Sequence, residues 1–226
     1  IHGLGGDDIL FGLTGDDVLA GGAGADMLHG GGGIDYADYS TASGGVLIRL
    51  WNGTGERAEA AGDTLTEIEN VIGSAFDDVI VGSHAVADTI AGGAGDDILF
   101  GLTGSDFLQG GEEDDMLEGG GGGDLLVGGP GDDTVTGGAG ADVFFFGFGH
   151  GTNTVTDFED GVDLLDVSES GAYFHNMRDT DDGVRLYLIP PNSDIQPKTV
   201  VLLEGITVDQ ITSDDFTTDI ALTTLA

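Results

Sequence analysis

The stretch "GGAGDDILFGLTGSDFLQGGEEDDMLEGG", residues 92–120, decides the fold because it repeats itself every nine residues. An Asp returns at Asp97, Asp106 and Asp115, each time within a glycine-rich segment. Self-similarity at a fixed short period is the signature of a solenoid, in which each unit packs only against its neighbours. The interval therefore predicts a stack of coils.

The same unit aligns twelve times along the chain and begins each time at a glycine. The units begin at Gly3, Gly12, Gly21, Gly30, Gly73, Gly82, Gly92, Gly101, Gly110, Gly119, Gly128 and Gly137. Each unit carries an Asp at its sixth place. One residue is inserted between Asp78 and Asp88, so the Asp of the unit that begins at Gly82 stands one position later. These acids are Asp8, Asp17, Asp26, Asp35, Asp78, Asp88, Asp97, Asp106, Asp115, Asp124, Asp133 and Asp142.

An apolar residue follows each of these acids by two places, and eleven of the twelve are large. They are Leu10, Leu19, Leu28, Ala37, Ile80, Ile90, Leu99, Leu108, Leu117, Leu126, Val135 and Phe144. This pattern predicts a three-residue strand whose middle side chain points inward. Nine units have Gly at the fourth place, where a turn can use positive φ without a steric penalty.

A single unit cannot bury its apolar residue alone, so units must stack. Two successive units form one coil of 18 residues with its strands on opposite sides, and neighbouring coils pair in parallel about 4.8 Å apart. Asp residues one coil apart then lie above one another. Unneutralised, such columns of carboxylates would split the stack.

Composition limits the classes of partner. The 226 residues include 42 acidic and five basic side chains, for a formal net charge of -37. This charge argues against nucleic acid and anionic membrane as partners and favours a hard cation. The chain has no cysteine, so disulfides cannot stabilise it. It also has no apolar run of 18 residues, so the sequence predicts no membrane span.

The repeat resembles GGxGxDxUx, the calcium-binding nonapeptide of RTX proteins. The resemblance implies an all-β fold, a right-handed parallel β-roll with Ca²⁺ between adjacent turns. It assigns all twelve sixth-place Asp residues to metal binding, together with glycines of the turns. These are Gly6, Gly15, Gly21, Gly30, Gly92, Gly93, Gly95, Gly101, Gly104, Gly110, Gly119, Gly120, Gly122, Gly128 and Gly137.

In the family, an ion takes the Asp and the carbonyls of places two and four from one unit, and completes its shell two units later with the Asp and the carbonyls of places one and three. Asp97 and Asp115 would share an ion through carbonyls that the resemblance assigns to Gly93, Gly95, Gly110 and Glu112. Asp106 would share one with Asp124, and Asp115 one with Asp133. Four units give two ions and eight give six, so we expect about eight Ca²⁺ ions.

Several positions depart from the repeat. Glu113, Phe76 and Val86 stand where a fourth-place glycine is expected, and non-glycine residues disfavour positive φ. The sites at Asp78 and Asp88 are therefore the weakest of the set. A second Asp precedes the sixth-place Asp in six units, and a solvated surface charge is its simplest interpretation. Asp157 and Asp163 are candidates for a terminal ion.

The pattern divides the chain into a first array (1–38), a strand-containing insert (39–72), a second array (73–145) and a C-terminal β cap (146–226). The insert, the following "GSAFDDVIVGSHAVADTIAGG" and residues 140–168 resemble the C-terminal domain of serralysin-type secreted metalloproteases. The segments "GVRLYLI" and "TVVLLEGI", around Pro190-Pro191, predict a hairpin that covers the open end of the roll. The acidic, apolar tail "DDFTTDIALTTLA", residues 214–226, resembles the uncleaved signal for type I secretion.

No catalytic motif is present. The HExxH zinc motif of serralysins and the GxSxG elbow are both absent, and no two histidines lie four residues apart. We expect a calcium-binding module that folds outside the cell after type I secretion and forms the C-terminal part of a larger bacterial protein, because Ile1 and His2 resemble the end of an earlier repeat. The alternatives are a structural adhesin, surface-layer or fibre component that self-associates with calcium, and a piece of a secreted hydrolase whose catalytic domain lies upstream.

Overall fold

The computed structural model describes residues 1–84, 87–147, 149–167, 173–189 and 199–217. These residues form 22 β-strands and no α-helix. In chain order the strands are β1 (His2–Gly5), β2 (Ile9–Thr14), β3 (Val18–Ala23), β4 (Met27–Gly32), β5 (Tyr36–Asp38), β6 (Leu47–Arg49), β7 (Thr54–Glu56), β8 (Thr64–Thr66), β9 (Asn70–Ile72), β10 (Val79–Val81), β11 (Thr89–Ala94), β12 (Ile98–Thr103), β13 (Phe107–Glu112), β14 (Met116–Gly121), β15 (Leu125–Val127), β16 (Thr134–Ala139), β17 (Val143–Phe145), β18 (Thr152–Val155), β19 (Leu164–Asp166), β20 (Tyr173–Thr180), β21 (Gly183–Ile189) and β22 (Thr199–Glu204). Short 3₁₀ turns cover Leu50–Asn52, Ala58–Ala60, Val208–Gln210 and Ser213–Asp215.

Successive strands of the repeat go alternately to two sheets. One sheet has nine strands in the order β1-β3-β5-β9-β11-β13-β15-β17-β19, which corresponds to about nine coils. Neighbours in this sheet are parallel, and residues 18 apart stand side by side, as Leu108 and Leu126 do. The predicted all-β fold class, a parallel solenoid consistent with a right-handed β-roll, is confirmed.

The core consists of two rows of apolar side chains, one from each sheet, that pack between the two sheets. All twelve side chains predicted to point inward are buried, and none exposes more than 5% of its surface. Leu99 and Leu117 are fully buried and occupy successive rungs of one sheet. Phe144 is the largest fully buried side chain among the described residues. The period of nine thus places one buried side chain per unit in the core between the sheets.

The insert continues the coil. Strand β8 pairs in parallel with β4, and β6 pairs in parallel with β10 on the far side of the insert. Strand β7 lies between β8 and β6 and is antiparallel to both. In the opposite sheet β9 lies between β5 and β11. The two arrays are therefore joined by strand pairing in both sheets.

The C-terminal strands extend the larger sheet and change its direction. Strand β22 pairs in parallel with β18, whereas β21 and β20 follow as antiparallel neighbours. Val184, Leu186 and Val201 are buried in this segment. The Pro190-Pro191 turn and residues 218–226, which hold most of the predicted secretion signal, lie outside the described residues.

Candidate metal centre

The sixth-place Asp residues form two columns that run along the roll. In each column one carboxylate oxygen, Oδ1, accepts the backbone N–H of the Asp one coil earlier. Asp26 accepts the N–H of Asp8 at 2.8 Å, and Asp124 accepts that of Asp106 at 2.8 Å. The same bond joins Asp17 to Asp35, Asp78 to Asp97, Asp88 to Asp106, Asp97 to Asp115, Asp115 to Asp133 and Asp124 to Asp142. Each column is therefore tied together through one oxygen of each carboxylate.

The second oxygen, Oδ2, is buried without a hydrogen-bond partner in nine of these residues. They are Asp8, Asp26, Asp35, Asp97, Asp106, Asp115, Asp124, Asp133 and Asp142. Buried polar atoms are nearly always hydrogen-bonded, and an isolated buried charge costs far more than a neutral group. The described residues form two ion pairs, His29–Glu67 and Arg49–Glu56, and neither reaches a column. A repeated orphan oxygen of this kind fits a site for a cation.

Backbone carbonyl oxygens point to the same places as the orphan oxygens. A Cβ built on Gly3 would lie 2.5 Å from the carbonyl oxygen of Gly21 and 2.7 Å from Oδ2 of Asp8. Glycine at the first place therefore keeps open a space between an Asp and a carbonyl of the next coil. A Cβ on Gly111 would likewise collide with the carbonyl oxygen of Gly93, one coil earlier. Each turn is lined by oxygen atoms from two adjacent coils.

Burial raises the pKa of these carboxyl groups. Desolvation, followed by neighbouring carboxylates in the same region, raises the pKa of Asp115 to about 8 and those of Asp97 and Asp133 to about 7. Backbone N–H groups oppose the shift. Desolvation also raises the pKa of Asp142 to about 6. The ionised columns are therefore unfavourable in the absence of a cation.

The donor set fits a hard cation that accepts carbonyl oxygens. Among the described residues no three His, Cys, Asp or Glu side chains converge on one point that could hold a metal ion. A cation in these turns would instead combine few carboxylates with several backbone carbonyls. Ca²⁺ accepts six to eight such oxygens in flexible geometry, whereas Mg²⁺ requires a smaller, near-octahedral shell.

Asp78 and Asp88 differ from the rest of their columns because serine occupies the second place of their units, where the other units have glycine or leucine. The backbone N–H of Ser74 donates to Oδ2 of Asp78 at 2.5 Å, and that of Ser83 donates to Oδ2 of Asp88 at 2.5 Å. The Ser74 and Ser83 hydroxyls also donate to Oδ1 of the same carboxylates at 2.9 and 3.1 Å. Both oxygens of these two groups are satisfied by the chain itself.

The fourth-place substitutions do not behave alike. Glu113 adopts φ of 81° and so takes the conformation of the glycine it replaces. Phe76 does not take positive φ, and Val86 lies outside the described residues. The second place separates the units more clearly: Leu4, Leu13 and Leu102 all adopt positive φ there, although none is glycine. Sequence reasoning about the fourth place missed this.

Four residues outside the twelve units continue the columns. Asp63 accepts the N–H of Asp26 at 2.8 Å and Asp163 that of Asp142 at 3.0 Å. Glu69 and Asn153 accept those of Asp35 and Asp133 at 2.9 and 3.1 Å. The triplets "DTL" (63–65) and "DLL" (163–165) carry the signal, an acid two places before a buried Leu, but lack the flanking glycines.

The candidate terminal ion at Asp157 and Asp163 has less support in the geometry. Asp157 accepts the N–H groups of Gly137 and Gly138 at 2.9 and 2.8 Å, one on each oxygen. Asp163 uses its second oxygen to accept the N–H of Glu159 at 2.8 Å. These carboxylates stabilise the end of the roll by hydrogen bonds.

The fifth-place acids are exposed, but they also link coils. Each accepts a backbone N–H from the coil that follows, as Asp114 does from Asp132 at 2.8 Å and Asp7 from Ala25 at 3.0 Å. Asp16, Asp77, Asp96 and Asp132 make the same bond. The interpretation as solvated charge is therefore incomplete.

Comparisons with known proteins agree with the repeat. The family model for the RTX calcium-binding nonapeptide repeat (4 copies) matches residues 2–37, 85–117 and 118–152. No curated protein matches the chain. In the part of the chain that the structure describes, no helix is long and apolar enough to cross a membrane.

Solved structures that are similar to the chain include repeat subunits of an epimerase and an extracellular lipase. The R3 subunit of the AlgE6 mannuronan C5-epimerase of Azotobacter vinelandii is 27% identical, covers 64% of this chain and 80% of its own, and has a TM-score of 0.37. The R2 subunit of the same epimerase is 26% identical over 61% of this chain and 91% of its own, with a TM-score of 0.32. The extracellular lipase LipA of Serratia marcescens is 19% identical over 93% of this chain and 38% of its own, with a TM-score of 0.31. The segments matched by the family model identify RTX calcium-binding nonapeptide repeats in both arrays of the chain.

Proposed function

We propose that this chain is a calcium-binding β-roll module that folds when Ca²⁺ binds, after type I secretion, as the C-terminal part of a larger extracellular bacterial protein. The observation that carries the proposal is the set of nine buried carboxylate oxygens without a hydrogen-bond partner. RTX repeat proteins are typically secreted by type I systems, which supports the extracellular setting. Self-association and contact with the secretion machinery remain predictions from sequence.

The ligands follow from the turns of the second array. Oδ2 of Asp97, carbonyls of its own turn and carbonyls of the turn that holds Asp115 would surround one ion. The same arrangement recurs for Asp106 with Asp124 and for Asp115 with Asp133. Bound Ca²⁺ supplies positive charge between carboxylates that burial otherwise penalises.

The chain's own residues set how binding and folding are coupled. Without a cation, the net charge of -37 and the ionised columns oppose the compact state. The turn oxygens come together only when the coils stack, so no preformed site exists in the unfolded chain. Calcium-binding free energy therefore becomes folding free energy. An unfolded chain in the cell and a folded one outside would follow from the difference in calcium concentration.

The module is proposed to be non-catalytic. Its paired acids are committed to column bonds and to the cation, and the sequence has no nucleophile motif. Any enzymatic activity of the larger protein would then belong to another domain.

Far-ultraviolet circular dichroism with a thermal scan tests the proposal. We expect a β-rich spectrum and cooperative melting in millimolar Ca²⁺, and loss of both in excess chelator. Mg²⁺ at the same concentration is the matched control and should restore little structure, because its shell is smaller and more rigid. The same β-rich, cooperatively melting state in excess chelator would contradict the proposal.

A further inference from the structure

The orphan oxygens are distributed unevenly along the roll. They occur in two groups, one in the first array up to Asp35 and one from Asp97 to Asp142. Between the groups lie the turns of Asp78 and Asp88, where Oδ2 accepts a serine N–H. We call residues 73–91 the seam; residues 85–86 within it are outside the described part.

The backbone of the seam differs from that of the other ten units. In the other ten units the second-place residue has positive φ; the seam's Ser74 and Ser83 do not. The ten are Leu4, Leu13, Gly22, Gly31, Gly93, Leu102, Gly111, Gly120, Gly129 and Gly138. Outside the left-handed region, the second-place N–H turns toward the carboxylate of its own unit. Two turn states therefore exist, and we call them open (positive φ, Oδ2 without a donor) and closed (Oδ2 bonded to the second-place N–H).

Asp78 shows how complete the closed state is. Its Oδ1 accepts the N–H of Val46 at 2.6 Å and the hydroxyl of Ser74 at 2.9 Å, while Oδ2 accepts the N–H of Ser74. Asp78 and Ser74 are 1% and 4% exposed. Three donors thus stabilise this buried carboxylate, and charge-assisted bonds to a carboxylate are roughly twice as strong as neutral ones. Hydrogen bonds from the chain therefore take the place of a cation at Asp78.

Carboxylates whose Oδ2 accepts a donor from the chain also follow the two groups of orphan oxygens at their other ends. Beyond Asp26, Oδ2 of Asp63 accepts the hydroxyl of Tyr39 at 2.9 Å, and both groups are buried. Beyond Asp142, Oδ2 of Asp163 accepts the N–H of Glu159. A column therefore changes from orphan oxygens to protein donors at the insert and at the C-terminal end.

We propose that the turns closed by Ser74 and Ser83 bind no Ca²⁺, so the roll carries two separate calcium stacks joined by a seam that hydrogen bonds hold together. This inference rests on the proposed function. It removes the ions expected between Asp78 and Asp97 and between Asp88 and Asp106. Calcium would then load the two stacks as separate blocks.

Native mass spectrometry of the full chain in Ca²⁺, which counts bound ions, tests the inference. The double variant Asp78→Asn/Asp88→Asn should keep the ion count of the unsubstituted chain. The matched variant Asp97→Asn/Asp106→Asn, one coil further along the same columns, should lose at least two ions. Loss of two or more ions from a folded Asp78→Asn/Asp88→Asn chain would overturn the inference.

A second variant covers the case in which the seam variant does not fold. Ser74→Gly/Ser83→Gly restores the second-place glycine and removes both hydroxyls, so its turns should open and its count should rise by two. A count no higher than that of the unsubstituted chain would then overturn the inference. Absence of bound calcium from the unsubstituted chain would instead contradict the proposed function, which keeps the two failures distinct.

Discussion

The seam and the rest of the second array have the same repeat but different electrostatics. In both regions an Asp follows a turn that begins at a glycine and precedes a buried apolar residue, and in both its Oδ1 accepts an N–H from the preceding coil. The array leaves Oδ2 of Asp115 without a donor, whereas the seam gives Oδ2 of Asp78 the N–H of Ser74. The period of the sequence thus determines where a carboxylate lies. The residue at the second place of the turn determines whether that carboxylate needs a metal.

Protonating the column carboxylates should produce the largest change in the folding of the calcium-depleted chain. Burial raises the pKa of Asp115 to about 8 and that of Asp97 to about 7, against about 3.9 for an unfolded Asp. The folded, metal-free chain therefore binds more protons than the unfolded chain between about pH 4 and pH 8. Its stability falls as pH rises through that window and is fully present below the unfolded pKa. We expect the calcium-depleted chain to gain β structure when the pH is lowered from 8 to 5.

Circular dichroism of calcium-free protein across this pH range measures the effect. The calcium-loaded protein is the control, and its β signal should weaken or stay level on acidification because protons compete with Ca²⁺. A calcium-free chain that stays equally unfolded at pH 5 and pH 8 would show that desolvation of the columns does not limit folding.

Replacing one array carboxylate should have the next largest effect. Asp115 is 3% exposed, and its Oδ1 accepts the N–H of Asp97 at 2.9 Å. In Asp115→Asn the amide oxygen can keep this bond, but the NH₂ group cannot bind a cation. We expect the calcium concentration that gives half the β signal to rise at least about tenfold, equivalent to about 1.4 kcal/mol.

The adjacent residue supplies the control for this titration. Asp114 is exposed, and one of its oxygens accepts the N–H of Asp132 at 2.8 Å. Asn can accept the same bond, so Asp114→Asn should change the free energy of unfolding by no more than about 0.5 kcal/mol. Equal shifts for the two variants would indicate a general effect of net charge on calcium affinity.

The sequence predicted the coil, its core and the columns because these depend only on spacing. The hydrogen bond between Asp26 and Asp63 was not predicted from the sequence. It forms because the insert folds through β6, β7 and β8 back onto the roll, and no local pattern encodes that path. The role of Ser74 was also missed. Its N–H faces the carboxylate because Ser74 lacks the positive φ that the second place has in ten other units, and the period of the repeat does not encode that difference. The period therefore predicts where a carboxylate lies but not whether the chain itself satisfies both of its oxygens.

The smallest predicted effect concerns that φ angle. Leu13 adopts φ of 79° at the second place of an open turn and exposes 69% of its surface. The left-handed region costs a non-glycine residue about 1–2 kcal/mol, partly offset by the greater entropy that glycine loses on folding. Leu13→Gly should therefore stabilise the calcium-loaded roll by roughly 0.5–1 kcal/mol in thermal unfolding. Ile9→Gly, at a 63% exposed position of the same strand without positive φ, should destabilise it by a similar amount. If both substitutions lower the melting temperature alike, open turns carry no backbone strain, and the contrast between open and closed turns would rest on the carboxylate oxygens alone.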